Sequence, residues 1–130
     1  MNQFSGYIEL TLDGEVMPFK FGTNAWALFS EKYRIELWQI GSSGLFGKME
    51  GKKMVQPPDI IKLRDLFYFA YESACRARDE KPKINIFRFG DMLDEDSTAF
   101  IKLQETMIQS KMFGFTLVDL AEEDKKKAVK

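Results

Sequence analysis

Histidine is absent from the 130 residues. That removes the commonest general base, the commonest metal ligand, and both the Ser-His and the Cys-His nucleophile pairs. Catalysis would fall to carboxylates and lysines, and neither a catalytic residue nor a metal site nor a cofactor is expected. Cysteine is nearly absent: Cys75 stands alone, so no internal disulfide can form, which fits a reducing cytoplasm. No apolar run reaches the roughly 18 residues of a membrane span. Met1-Asn2-Gln3-Phe4 has neither a basic n-region nor an apolar h-region, so no secretion signal is expected. An excess of one charge is missing too. The 19 basic and 20 acidic residues leave a net charge of −1, without the basic surplus of a nucleic-acid reader.

What remains is the supply for one ordinary core. The chain is 45% hydrophobic and 30% charged, and its 12 phenylalanines bring the aromatics to 14%. A single domain over residues 1–120 is expected. Residues 121–130 are charged, lack an apolar face, and read as a frayed tail.

The opening predicts a β-hairpin. Asp13-Gly14 is the two-residue loop that favours a type I′ turn, since both positions need positive φ. Centring the turn there pairs Leu12 with Glu15, Leu10 with Met17 and Ile8 with Phe19. One face then carries Ile8, Leu10, Leu12, Met17 and Phe19, and the other Tyr7, Glu9, Thr11, Val16 and Lys20. Pro18 falls opposite Glu9, where its missing N–H would have pointed outward, so Glu15–Phe21 reads as an edge strand.

Helices follow. Thr23 or Asn24 can cap the first, in which Trp26, Phe29 and Tyr33 form a stripe wide enough to cover the hairpin, and Ile35–Ile40 reads as a short helical continuation. Gly41–Pro58 holds four Gly and two Pro around the apolar Leu45-Phe46. It reads as the least structured internal stretch, either folding back on the core or waiting for a partner. Pro57-Pro58-Asp59 starts a central helix reaching about Arg78. Ile60, Leu63, Phe67, Ala70, Ala74 and Ala77 make its stripe, widened by Leu66, Phe69 and Tyr71. Asn85 can cap a short helix over Ile86–Leu93, and Asp96 or Ser97 a last one to about Met112, after which Phe113-Gly114-Phe115 breaks the pattern. The fold class expected is α+β and mostly helical, with the hairpin packed on a small helical bundle.

Four constellations invite chemistry. Ser42–Met49 resembles a phosphate loop, but Ser42 stands where Gly is required and Met49 where Ser or Thr is required. Asp91, Asp94, Glu95 and Asp96 are dense enough for a hard cation, but lack the spacing of a calcium loop and read as a helix end plus the next helix's cap. Cys75 on the central helix reads as a buried structural thiol. Trp38, Phe46, Phe113 and Phe115 flank glycines at element ends, where burial is not guaranteed. With Leu45 they are the candidate partner-binding residues; core and interface both remain open for each aromatic.

Tyr7-Ile8-Glu9-Leu10 before Asp13-Gly14, then Phe19-Lys20-Phe21-Gly22, then an aromatic helix ending Glu31-Lys32-Tyr33, resembles the tail assembly chaperones of long-tailed bacteriophages and prophages. The helix Leu66–Cys75 and the acidic corner Leu93-Asp94-Glu95-Asp96 are similar to that family's later layout. The likeness covers most of Gly6–Met112. It implies a non-enzymatic protein of the host cytoplasm that coats the tape-measure protein, helps bring tail-tube subunits to it, and self-associates. From the balanced charge and the lack of a long apolar run, neither nucleic acid nor membrane is expected as a partner. Many members also exist in a frameshifted longer form, for which Lys125-Lys126-Lys127 would allow a slippery codon run. A small regulatory or adaptor protein of a mobile element is the alternative.

Overall fold

The structure is a computed structural model and describes residues 5–36, 39, 43–116 and 119. Strands β1 (Tyr7–Leu12) and β2 (Glu15–Lys20) open it, followed by α1 (Thr23–Tyr33). A second hairpin joins β3 (Lys48–Glu50) to β4 (Lys53–Gln56). Then come α2 (Ile60–Ala77), α3 (Ile86–Asp94) and α4 (Ser97–Gln109), and a third hairpin of β5 (Lys111–Met112) and β6 (Phe115–Thr116). The class is α+β and mostly helical. Among the described residues no helix is long and apolar enough to cross a membrane.

The first hairpin has the register its turn residues dictate: Leu12 faces Glu15, Leu10 faces Met17, Ile8 faces Phe19, and Pro18 faces Glu9. Asp13 and Gly14 both take positive φ, at 49° and 77°. Leu12, Met17 and Phe19 are buried while Val16, on the other face, is exposed. The sheet has two strands only, so β2 is an edge.

A two-stranded sheet needs an apolar support. That support is chiefly α2 rather than α1, which packs against α2 instead. Asp59 caps α2 by accepting from the Lys62 N–H at 3.1 Å. Leu63, Leu66, Phe67, Ala70, Tyr71, Ala74 and Cys75 are buried along it. Phe21 meets Phe67 edge-on at 5.8 Å, and Phe19 lies 5.8 Å from Phe89 of α3. Each such phenylalanine contributes about 1.5–3 kcal/mol by burial alone. The turn between α2 and α3 is tied back to α2: Tyr68 donates to the Ile84 carbonyl at 2.8 Å, and Tyr71 accepts from the Lys83 N–H at 3.0 Å.

Several expectations are corrected. Gly22, not Thr23 or Asn24, occupies the N-cap of α1, and no side chain caps it. Arg34 turns into the left-handed region (φ 56°) and stops α1, so Ile35 and Glu36 do not continue the helix. Gly41–Pro58 is not its least ordered stretch throughout, since it holds the β3–β4 hairpin with Gly51 at φ 60° in the turn. Ile60 and Ala77 leave the stripe of α2: the core is shorter than the helix, and both ends overhang it in exposed positions. The last helix stops at Gln109 rather than about Met112, because Ser110 adopts extended backbone and opens β5. Residues 121–130, read as a tail, lie outside the described residues.

Candidate protein-binding surface

Gly6 makes room for the C-terminal hairpin. A Cβ there would stand 2.8 Å from that of Ser110 and 2.4 Å from the Phe21 carbonyl oxygen, so only glycine lets α4 hand the chain past β1. Ser110 is buried, and its hydroxyl donates to the Met107 carbonyl at 2.6 Å. Met112 is buried behind it. Beyond Met112 the chain leaves the core, turns at Phe113-Gly114 and returns, with Lys111 facing Thr116 and Met112 facing Phe115. Thr116 and Asp119 then exchange hydrogen bonds, N–H to Oδ2 at 3.3 Å and N–H to Oγ1 at 3.2 Å.

This geometry puts Phe113 at the tip, 84% exposed, and Phe115 beside it at 59%. Phe113 also has φ of 51°, a conformation that a bulky L-residue adopts at a cost.

The other candidates differ. Leu45 is 1% exposed and belongs to the core, so a partner cannot reach it; the expectation of an anchor there is corrected. Phe46 is half-buried and packed against the same core. The reason is that Ser43–Gly47 folds back on the start of α2. The Asp59 N–H donates to the Gly44 carbonyl at 2.8 Å, and the Lys62 ammonium to the Ser43 carbonyl at 2.8 Å. At Gly47 (φ 72°) a Cβ would lie 2.7 Å from the Gln56 carbonyl oxygen. Trp38 lies outside the described residues. Phe113 and Phe115 are therefore the two candidates that the structure brings together on the surface.

The phosphate-loop likeness also fails structurally, because a strand rather than a helix follows Gly47. Asp96 caps α4 by accepting from the Ala99 N–H at 3.0 Å, as the reading of the acidic corner as a cap expects. Among the described residues no three His, Cys, Asp or Glu side chains converge to hold a metal ion. Cys75 is buried, and burial pushes its thiol up. Native protein is therefore expected to react with a disulfide reagent at least about tenfold more slowly than protein in denaturant.

Two features went unread in the sequence. The first is Asp65, fully buried in α2 yet charged. Its Oδ2 takes the Lys32 ammonium at 2.6 Å and the Tyr33 hydroxyl, and its Oδ1 takes Nε and Nη2 of Arg64 at 3.0 and 2.8 Å. Burial alone would raise this carboxyl; the hydrogen bonds from Lys32, Tyr33 and Arg64 outweigh it and hold the group below its ordinary value. Tyr33 is pushed far above its own ordinary value, by burial first and then by its bond to Asp65. Lys32 and Lys62 stand 5.4 and 5.5 Å from the Tyr33 ring centre. This network fastens the end of α1 to α2.

The second is a groove of about 400 Å³ between α2, α3 and α4. Ile60 and Ile61 of α2 and Phe87 of α3 stand on it, 59%, 57% and 75% exposed. Phe87, Gly90, Asp91 and Asp94 share one face of α3, spaced i, i+3, i+4, i+7, opposite Phe89 and Met92, which enter the core. That spacing was the available signal.

Comparison with protein-family models, with curated proteins and with solved structures gives no match for this chain.

Proposed function

We propose that this chain is a non-enzymatic assembly chaperone that grips an unassembled polypeptide through aromatic side chains. Its clients, on this reading, are the tape-measure protein and the tail-tube protein of a long-tailed phage or prophage. It works as a homo-oligomer in the host cytoplasm. Phe113 is the observation that carries the reading. Exposure forgoes the hydrophobic gain that usually fixes a phenylalanine, and the left-handed backbone adds about 1 kcal/mol against it. Folding alone favours Asn or Gly at this turn position. A residue held against both preferences points to selection for contact with something else. The neighbouring Phe115, 59% exposed, extends the apolar area at the tip.

The test is co-expression of the chain with the tape-measure protein of its own gene neighbourhood. Phe113→Asn is expected to raise folding stability by about 1 kcal/mol, read as a higher urea midpoint. Combined with Phe115→Ser, it is expected to weaken client binding by about tenfold or more and to send the tape-measure protein to the insoluble fraction. A double variant that keeps the client soluble as well as wild type does would remove the reading. Phe46→Ser is a poor probe, because it perturbs the core at the same time.

A further inference from the structure

We propose that the groove between α2, α3 and α4 docks an amphipathic helix bearing basic residues beside its apolar stripe, a partner chemistry that rests on the binding-protein reading above and specifies it. The groove's walls are helices, in which the backbone donors and acceptors outside the terminal turns are paired internally. They offer no ladder to which an extended strand could add, so an occupant must engage side chains. Ile60, Ile61 and Phe87 supply the apolar contact, and the trough between them suits a row of side chains spaced i, i+3, i+4, i+7. Gly90 sets the floor: a Cβ there would come within 3.3 Å of the Arg64 side chain, so a larger residue would crowd the trough.

Charge decides which helix fits. Arg64 lines the groove, but its guanidinium is turned to the buried Asp65. Asp91 and Asp94 are exposed along the α3 wall and form no ion pair with the described residues. Of the other acids near α3, Asp96 caps α4 and Asp13 lies 3.6 Å from Arg88. The apolar trough is thus bordered by two carboxylates that no cation pairs among the described residues, and lysine or arginine flanking the partner's stripe supplies that complement.

The probes are two synthetic, side-chain-linked helical peptides of roughly 16 residues, long enough to hold a helix once linked. Both carry the same leucine stripe, flanked by Lys in one and by Glu in the other. Titrated into isotope-labelled protein, the Lys peptide is expected to shift the amide signals of Ile60, Ile61, Phe87, Asp91 and Asp94. It is expected to bind about fivefold tighter than the Glu peptide at low salt. Asp91→Asn with Asp94→Asn should erase that difference, and Phe87→Ala should weaken both peptides; all three side chains are exposed, so the fold is spared. Equal binding of the two peptides overturns the proposal, as do shifts centred on Phe113 and Phe115. Concentration-dependent shifts at the groove without peptide also overturn it, by making a second copy the occupant. If the peptides fail while Phe113→Asn with Phe115→Ser still releases the client, only this proposal falls.

Discussion

Leu66→Asp is expected to leave no folded population at room temperature. Leu66 is fully buried near the middle of α2, within the core cluster. Removing the leucine alone costs about 2–5 kcal/mol, and an unpaired carboxylate in the same site adds its desolvation. A domain of this size has about 5–15 kcal/mol in total. Circular dichroism should show lost helix, and gel filtration an expanded or aggregated chain. Ile61→Asp, five residues earlier on the same helix, should by contrast fold with stability within about 0.5 kcal/mol of wild type, because that side chain is exposed. A stable, monodisperse Leu66→Asp variant would mean that α2 faces the core with a different side.

Asp65→Ala is expected to cost about 3 kcal/mol, through the loss of charge-assisted hydrogen bonds that no water can replace at a fully buried site. The penalty stays below that of a stranded buried charge, since Lys32 and Arg64 are 46% and 24% exposed and can turn to solvent. The pH dependence separates this account from simple loss of volume. The carboxyl titrates lower folded than unfolded. Its contribution is therefore complete above the ordinary carboxylate value near about 4, and it disappears as pH falls through the lowered folded value. Wild type should lose stability across that acid range in urea unfolding, and Asp65→Asn should start lower at neutral pH and lose less. Tyr33 acts in the opposite direction: raised in the fold, it contributes fully below about 10 and loses that contribution as pH rises. Parallel acid profiles for wild type and Asp65→Asn would contradict the network.

The parts legible in the sequence are those with strong local chemistry. Asp13-Gly14 between two alternating runs fixes the register of β1 and β2, and Asp59, Asn85 and Asp96 mark three helix starts by the caps they form. The parts that were not legible depend on contacts distant in sequence. Asp65 gives no sign of burial until Lys32 and Tyr33, more than thirty residues away, are placed against it. All four residues of β4 are exposed, so no alternation betrays the strand. The β5–β6 hairpin has strands of two residues and a turn headed by Phe113, the kind of residue that turn chemistry argues against. Leu45 looks like a stranded apolar residue until the chain is seen folding back on α2. Ile60 fits the helical stripe by spacing, but lies one turn beyond the end of the core.

The measurement closest to the central claim is site-specific photo-crosslinking inside a host cell that expresses the whole tail gene cluster. A benzophenone amino acid placed at 113 or 115 should give adducts with the tape-measure or tail-tube protein, and the same group at the exposed Thr11 should give none. The adducts should vanish once the tail is complete. Absence of any adduct at 113 and 115, with the client present and unassembled, would contradict the idea that this surface holds it.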